Sequence, residues 1–248
     1  MNHTSNVASV AKHINSSNLI HELHPELPYI LGETNSLYNQ GRPGLSNTFG
    51  AALWGIDFNL YCAAKNISRV HMHMGTNYRY QSWQPIDTDL VSKGTKAPYY
   101  GNIGVAAFLG KSEETRVVNL PLGNEREAAY AAYTNSSLDK IMVINLMAYN
   151  ATDYNQEYIN DFERPSEEYG FQLSEEYKGK EVGLKRLMAN GSDAISGITF
   201  DGYSYNFELD EGRPVLLKNV TRGERVNVGE DGVVKVEVPW SSAVILRF

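Results

Sequence analysis

The chain has 248 residues, of which 42% are hydrophobic and 11% aromatic, and its formal net charge is −7. This length allows one large domain or two small ones with a sizeable core. An acidic chain without basic runs is atypical of nucleic-acid-binding proteins, and no stretch approaches the roughly 18 consecutive apolar residues of a membrane helix. We therefore expect neither nucleic acid nor a membrane as a partner.

The signals for cellular location conflict. The first residues have neither the basic segment nor the apolar segment of a signal peptide. The chain nevertheless carries more Asn-x-Ser/Thr sequons than chance predicts, which favours an extracellular protein. We therefore expect that sequence preceding Met1 is missing. The sequons begin at Asn2, Asn15, Asn66, Asn135, Asn150, Asn190 and Asn219.

The first 115 residues contain the pattern of parallel βα units. Residues 1–25 form a weakly patterned surface helix, and the short apolar runs 27–33 and 67–75 predict two buried strands. The segment 49–66 is apolar on nearly all sides and predicts a packed helix, and a third helix is expected at 100–111. Ser46, Asn47 or Thr48 is expected to cap the 49–66 helix. Its Cys62 is expected to be a buried, unreactive thiol.

From about residue 115 the pattern changes to short β-prone runs separated by turns such as Asn190-Gly191 and Asp231-Gly232. This pattern predicts an antiparallel β-sandwich, with the polar run 153–181 as an insertion or long loop. We therefore predict an α/β part over 1–115 and a β-sandwich over 116–248. Two βα units cannot close a (β/α)₈ barrel, which takes about 250 residues. The first part is either a small open α/β layer or the end of a larger barrel.

Glu33 is a lone carboxylate at the end of the first predicted strand. In barrel enzymes the catalytic groups sit at the C-terminal ends of strands, where a carboxylate serves as nucleophile or as general acid/base. Position alone also permits a Glu that starts a loop and points to solvent.

The runs LGETNS (31–36), GLSNTFGAALW (44–54), RVHMHMGTNYRYQSWQP (69–85) and APYYGN (97–102) resemble the fungal branch of glycoside hydrolase family 79. That family contains β-glucuronidases and heparanase-like enzymes. The match runs from about Pro28 to Gly110. The later β-rich part is similar to the family's C-terminal sandwich, with a weaker likeness.

The resemblance implies a retaining glycosidase built on a (β/α)₈ barrel with an attached β-sandwich, without a cofactor. It implies that residues 1–115 are a partial barrel, its last two βα units, followed by the sandwich at 116–248. It implies that Glu33 is the nucleophile. It also implies that the glucuronate carboxylate is bound by Tyr38, Gly41 and Tyr80, with Tyr78 as a rival to Tyr80. The expected partner is a glucuronide-containing carbohydrate, and the oligomeric state is left open.

Nearby residues are compatible with these roles. Arg79 offers a positive charge for a sugar acid, or packs as an exposed side chain on its loop. His71 and His73 alternate on a strand, so they share a face. His73 either bonds the nucleophile or a sugar hydroxyl, or is a core histidine. Two His at this spacing are a weak metal signal, and we expect no metal.

Aromatic residues further along have two interpretations as well. Trp83 either stacks on a sugar ring or packs within its loop. Tyr99 and Tyr100 are expected to close the barrel rim rather than contact substrate.

The sequence lacks an identifiable acid/base. Retaining hydrolysis uses two carboxylates about 5–5.5 Å apart. The family's acid/base Glu follows an Asn on an earlier strand, and neither Glu22 nor Glu26, the acidic residues before Glu33, fits that pattern. One hypothesis is therefore a truncated record of a secreted β-glucuronidase-like hydrolase, inactive by itself. The alternative is a genuine short product that binds carbohydrate or plays a structural role.

Overall fold

The computed structural model describes residues 1–152 and 163–248. Its helices follow the predicted order, and the weakly patterned N-terminal segment is a helix of 21 residues. The helices are α1 (His3–Leu23), α2 (Phe49–Ala64), α3 (Pro98–Leu109) and α4 (Phe207–Asp210), with a 3₁₀ turn at Glu175–Tyr177.

The strands fall into a parallel pair near the N-terminus and antiparallel sheets after it. They are β1 (Ile30–Thr34), β2 (Arg69–Met72), β3 (Trp83–Gln84), β4 (Gly94–Thr95), β5 (Arg116–Leu120), β6 (Glu127–Thr134), β7 (Ser137–Asn145), β8 (Ser166–Gln172), β9 (Glu181–Met188), β10 (Thr199–Phe200), β11 (Tyr203–Ser204), β12 (Val215–Leu216), β13 (Arg225–Asn227), β14 (Val233–Pro239) and β15 (Ser242–Arg247).

Strands β1 and β2 pair in parallel, with α2 between them along the chain. The sequence predicted buried strands, and this is wrong in part. Leu31 is 5% exposed, but Ile30 is 40% exposed and Glu33 is exposed too. Among the described residues, the pair is covered on the face that meets the α2 core, while its other face meets solvent.

Nine strands of the described chain form one sheet, in the order β12-β11-β10-β9-β15-β7-β6-β5 with β13 beside β9. Its central strands alternate between two cores. On β7, Met142 and Ile144 face the core shared with α2 and α3, while Ile141 and Val143 face the core under the β8–β14 ribbon. The α2–α3 core thus draws residues from both sides of residue 115, and a domain boundary there stays a prediction.

The start of α2 is held by backbone groups rather than by a side-chain cap. Thr48 is the N-cap residue but makes no capping bond, because its hydroxyl donates to the Leu45 carbonyl. The Phe49 N–H donates to the Ala194 carbonyl and the Gly50 N–H donates to the Ser192 carbonyl, each at 2.7 Å. These bonds satisfy two N–H groups that a helix start leaves free, and they fix α2 against the loop after β9.

A fully buried carboxylate, Asp57, joins three elements. Its Oδ1 accepts a 2.6 Å hydrogen bond from the Tyr130 hydroxyl and lies 2.8 Å from His3 Nδ1. Its Oδ2 accepts a 2.7 Å bond from Asn6 Nδ2. A buried charge is tolerable only when it is paired and hydrogen-bonded, so this cluster ties α1 and β6 to α2.

The polar run 153–181 is not one long loop. Residues 153–162 lie outside the described residues, but β8 occupies 166–172 and pairs with β14 over seven register positions. Cys62 is fully buried as predicted, and burial raises the pKa of its thiol to about 12. None of the helices in the described ranges has the length and apolarity needed to cross a bilayer.

Candidate functional site

The carboxyl ends of β1 and β2 lie side by side because the two strands are parallel, and the polar residues that follow each strand are bonded together. The His73 N–H donates to the Thr34 carbonyl at 2.8 Å, which extends the ladder beyond β2. Asn35 Nδ2 donates to the His73 carbonyl at 2.8 Å. The position of Glu33 relative to β2 is therefore fixed on its C-terminal side.

Two tyrosines from the loop after β2 return to His73. The Tyr80 hydroxyl lies 3.0 Å from His73 Nδ1. The ring centroid of Tyr78 is 5.3 Å from that of His73 and 5.7 Å from that of Tyr80. Tyr78 packs over Gly75, where any Cβ would lie 2.6 Å from the tyrosine ring. The absence of a side chain at Gly75 thus allows Tyr78 to reach the strand ends.

The loop after β1 folds back beside Tyr80 through a tight turn. Asn39 and Gln40 have positive φ, and the Gly41 N–H donates to the Tyr38 carbonyl at 3.1 Å. Gly41 has a φ of +78°, and a Cβ on it would lie 2.9 Å from the Tyr80 ring and 2.8 Å from Ser46 Cβ. The loop can lie this close to Tyr80 only with glycine at this position.

These residues enclose an open cavity of about 660 Å³, which we call the strand-end cavity. Five of the residues predicted from the sequence line it, and Gly41 lies behind Tyr80 in its wall. Among its described lining residues, Glu33 is the only one with a carboxylate. The lining is Glu33, Thr34, Asn35, Leu37, Tyr38, Asn39, Gln40, His73, Tyr78 and Tyr80.

The electrostatics keep Tyr80 a hydrogen-bond donor. Burial raises the pKa of the Tyr80 hydroxyl, and the neighbouring Tyr78 and Glu33 act in the same direction, against a backbone bond from Gln40. Tyr80 therefore stays protonated at neutral pH. Tyr38, at 79% exposed, reaches into solvent at the edge of the cavity.

Other predicted residues lie elsewhere. Arg79 does not line the strand-end cavity; its guanidinium donates to Gln40 Oε1 at 3.2 Å. His71 is exposed and is not part of the lining. Trp83 packs edge-on against Tyr99 with centroids 6.3 Å apart.

Tyr100 is a buried residue at the start of α3. It is 1% exposed, its hydroxyl bonds Ser204 and Asn206, and the Tyr205 N–H donates to it. It therefore anchors α3 to β11 and to the two residues after it, and its place at a barrel rim stays a prediction.

Sequence reasoning missed Asn35 and Gln40 as wall residues. The polar run after Glu33 was the available signal, because a strand end followed by several amides predicts a polar cavity wall.

Comparison with known proteins identifies relatives of the whole chain. Residues 129–245 match the family described as the glycosyl hydrolase family 79 C-terminal beta domain. A β-glucuronidase of Aspergillus niger is 58% identical over 99% of this chain and 46% of its own length. A β-glucuronidase of Neurospora crassa is 52% identical over 100% of this chain and 50% of its own length.

Solved structures give the same fold. A 4-O-α-L-rhamnosyl-β-D-glucuronidase from Fusarium oxysporum superposes with a TM-score of 0.80 at 21% identity. The superposition covers 100% of this chain and 49% of the Fusarium chain. An α-L-arabinofuranosidase from Thermotoga petrophila covers 98% of this chain and 49% of its own, with a TM-score of 0.59 at 11% identity. The mixed α/β architecture with antiparallel sheets is thus similar to that of these two solved structures.

The chain spans about half the length of the curated relatives it matches. Its residues 129–245 belong to the family described as the glycosyl hydrolase family 79 C-terminal beta domain.

Proposed function

We propose that the chain supplies the nucleophile side of a retaining β-glucuronidase site. The observation that carries this proposal is the convergence of Glu33, His73, Tyr78 and Tyr80 on one cavity at two parallel strand ends. In this proposal the β1–α2–β2 unit is the end of a (β/α)₈ barrel, and the antiparallel sheets form the family's sandwich. Such strand ends carry the catalytic groups in barrel enzymes.

The first chemical step belongs to Glu33. Its carboxylate attacks the anomeric carbon of a β-linked glucuronate, and the bond to the leaving oxygen breaks as the glycosyl–Glu33 ester forms. Water then attacks the same carbon and releases glucuronate with its configuration retained.

The tyrosines hold the sugar carboxylate. Tyr80 is protonated, and in the His73 tautomer that carries its proton on Nδ1 the imidazole donates to the Tyr80 oxygen, which leaves the tyrosine proton free for the substrate. Tyr38 and Tyr78 are further hydroxyl donors in the wall. Neutral donors bind a carboxylate through charge-assisted hydrogen bonds, so no cation is required in this cavity. The Gly41 N–H is engaged with Tyr38, so Gly41 acts by permitting the loop's path.

Leaving-group protonation is not provided by the described lining of the cavity. Glu22 and Glu26 are not part of that lining, and Glu26 lies 3.5 Å from His24 near the end of α1. General acid–base assistance is worth roughly 10²–10⁴-fold. We assign the acid/base to no residue of this chain, and we expect the chain alone to be slow on substrates with poor leaving groups.

We also propose that the family protein is extracellular. Three of the sequon asparagines, Asn66, Asn135 and Asn219, are exposed in turns with positive φ. Sequons of secreted proteins lie in such surface loops.

The test uses two aryl β-glucuronides that differ in leaving group. Dinitrophenolate leaves without protonation, whereas phenolate requires an acid. The chain is expected to release dinitrophenol measurably above the uncatalysed rate and to leave phenyl glucuronide intact. Glu33→Gln should remove the dinitrophenol release, while Glu22→Gln on α1 should retain it. Equal release by wild type and Glu33→Gln would contradict the proposal.

A second function is favoured by the single carboxylate in the cavity lining. Without turnover the same cavity would serve as a glucuronide-binding site. Binding of methyl β-glucuronide in calorimetry, with no dinitrophenol release, would identify this function instead.

A further inference from the structure

The loop after β2 contains a residue in a conformation that most residues avoid. Asn77 has a φ of +67° and lies immediately before Tyr78, which lines the strand-end cavity. A positive φ brings the Cβ atom close to the backbone, and asparagine tolerates this better than most other residues that carry a Cβ. Contacts that hold Asn77 in this conformation therefore also set the direction in which the chain enters Tyr78.

Gln84 holds both the backbone and the side chain of Asn77. The Asn77 N–H donates to Gln84 Oε1 at 3.0 Å, and Gln84 Nε2 donates to Asn77 Oδ1 at 3.0 Å. A backbone N–H can only donate, so the oxygen of the Gln84 amide must face it, and this fixes the orientation of that amide. Gln84 is 2% exposed, and its backbone pairs with Gly94 between β3 and β4. The partner of Asn77 is thus itself held in place.

Thr88 adds a third bond to the same residue. Its hydroxyl donates to Asn77 Oδ1 at 2.6 Å and accepts from the Val91 N–H at 3.1 Å. We call Asn77, Gln84 and Thr88 the Asn77 clamp. None of the three belongs to the described lining of the strand-end cavity. The clamp therefore acts on that cavity through the loop and not by contact with a bound sugar.

Among the described residues of the cavity, Tyr78 is held less firmly than Tyr80. The Tyr78 N–H donates to the Gly75 carbonyl at 3.0 Å and its ring packs against His73 and Tyr80, but the side chain is only partly buried. Tyr80 is 7% exposed, and its hydroxyl meets His73 Nδ1. The position of Tyr78 thus depends more strongly on the chain that leads into it.

We propose that Gln84 is a positioning residue for the glucuronate site. Through Asn77 it fixes Tyr78 against His73 and Tyr80, so that the tyrosine hydroxyls are arranged for the sugar carboxylate before the sugar binds. Binding then loses no affinity to the ordering of the loop. This inference rests on the proposed function, because it takes the strand-end cavity as the glucuronate site.

The test is calorimetric binding of methyl β-glucuronide to the full chain. Gln84→Met keeps the length of the side chain and removes both bonds to Asn77. Affinity should fall about three- to tenfold, because one side chain must then be ordered on binding. Gln81→Met is the matched control and should keep wild-type affinity. Gln81 is a buried glutamine of the same loop, and its Oε1 has no hydrogen-bond partner among the described residues.

A double-mutant cycle separates positioning of Tyr78 from a general loosening of the loop. Tyr78→Phe should itself weaken binding, because it removes a hydroxyl from the cavity. In that background Gln84→Met should have almost no further effect, because the hydroxyl that Gln84 positions is gone. Losses that add in the double variant, or unchanged affinity in Gln84→Met, would overturn the inference alone.

A second variant covers a folding defect at buried Gln84. Thr88→Val keeps the shape of a partly buried side chain and removes its bond to Asn77, and urea denaturation checks that the variant folds. Its affinity should also fall, and this loss should also disappear in the Tyr78→Phe background. If Gln84→Met does not fold, unchanged affinity in Thr88→Val would overturn the inference. No binding of methyl β-glucuronide by the wild-type chain would overturn the proposed function and, with it, this inference.

Discussion

At the residue scale, Tyr80 links the two halves of the site. Its hydroxyl meets His73 at the end of β2, and its ring packs on Gly41 of the loop after β1. Sequence alone ranked Tyr78 and Tyr80 as rivals. The structure places both in the cavity and distinguishes them by burial, since Tyr80 is 7% exposed and Tyr78 is only partly buried.

Tyr80→Phe removes one hydroxyl and keeps the ring. Hydrogen bonds to a charged group contribute about 1.5–3 kcal/mol, so affinity for methyl β-glucuronide should fall at least about tenfold. Calorimetry measures the change. Tyr203→Phe is the control and should retain wild-type affinity. The Tyr203 hydroxyl accepts from Arg222 and is not part of the strand-end cavity. Unchanged binding in Tyr80→Phe would remove Tyr80 from the carboxylate site.

At the element scale, the loop after β1 depends on Gly41 for its approach to Tyr80. Gly41→Ala adds both backbone strain at φ +78° and a contact of 2.8 Å with Ser46. Gly44 has a similar φ of +73° with nothing within 4 Å of its Cβ position, so Gly44→Ala isolates the backbone strain of about 1–2 kcal/mol. We expect Gly41→Ala to lower the free energy of unfolding by more than this and to weaken glucuronide binding. Urea denaturation and calorimetry test both effects, and equal behaviour of the two variants would contradict the loop's role.

The α2–α3 contact makes a separate prediction. A Cβ on Gly101 would lie 2.7 Å from the Ala52 carbonyl oxygen, so Gly101→Ala must separate the helices. Overpacking of this kind costs about 1–3 kcal/mol. Gly55 is also helical but has open space around it, and Gly55→Ala should stabilise by about 0.5–1 kcal/mol. Relative to wild type, the midpoint temperature of thermal denaturation should fall for Gly101→Ala and rise for Gly55→Ala. Shifts of the same sign in both variants would contradict the packing.

The sequence predicted elements well where burial leaves a visible period. The structure contains the alternating strand 233–238 and the apolar helix predicted at 49–66. Polar residues after each parallel strand line the strand-end cavity. Strand β8 was missed because only Tyr169 of its seven residues is buried, so the charged outer face dominates the pattern. Within 1–152 and 163–248, Gln81 Oε1 is buried without a hydrogen-bond partner, and this has no sequence signature because it depends on the fold around it. Asp57 does have a sequence signature: it is a lone acid within an apolar helix, which indicates a buried carboxylate that needs partners.

At the scale of the whole molecule, the Asp57 cluster makes stability depend on pH. Burial lowers the pKa of His3, but the hydrogen bond and charge of Asp57 outweigh it, and the pKa ends above its ordinary 6.5. Because this pKa is raised, protonated His3 adds to the free energy of unfolding. That stabilisation is fully present below pH 6.5 and is lost as the pH rises through the folded-state pKa of His3. The free energy of unfolding should therefore decline above pH 6.5.

The measurement is urea denaturation across this pH range. His3→Gln should flatten the decline, because it removes the titrating group. His24→Gln is the control, since His24 and its partner Glu26 are both largely exposed and the pair contributes little. A decline that persists in His3→Gln would assign the pH dependence to another group.

The most direct test of the account is covalent trapping of the nucleophile. A dinitrophenyl 2-deoxy-2-fluoro-β-glucuronide has a leaving group that needs no acid, and its fluorine slows the hydrolysis of the glycosyl ester. Intact and peptide mass spectrometry should show one fluoroglucuronosyl group per chain, on the peptide that contains Glu33. An adduct on another residue, or no adduct on a chain that still binds methyl β-glucuronide, would contradict the assignment of Glu33 as the nucleophile.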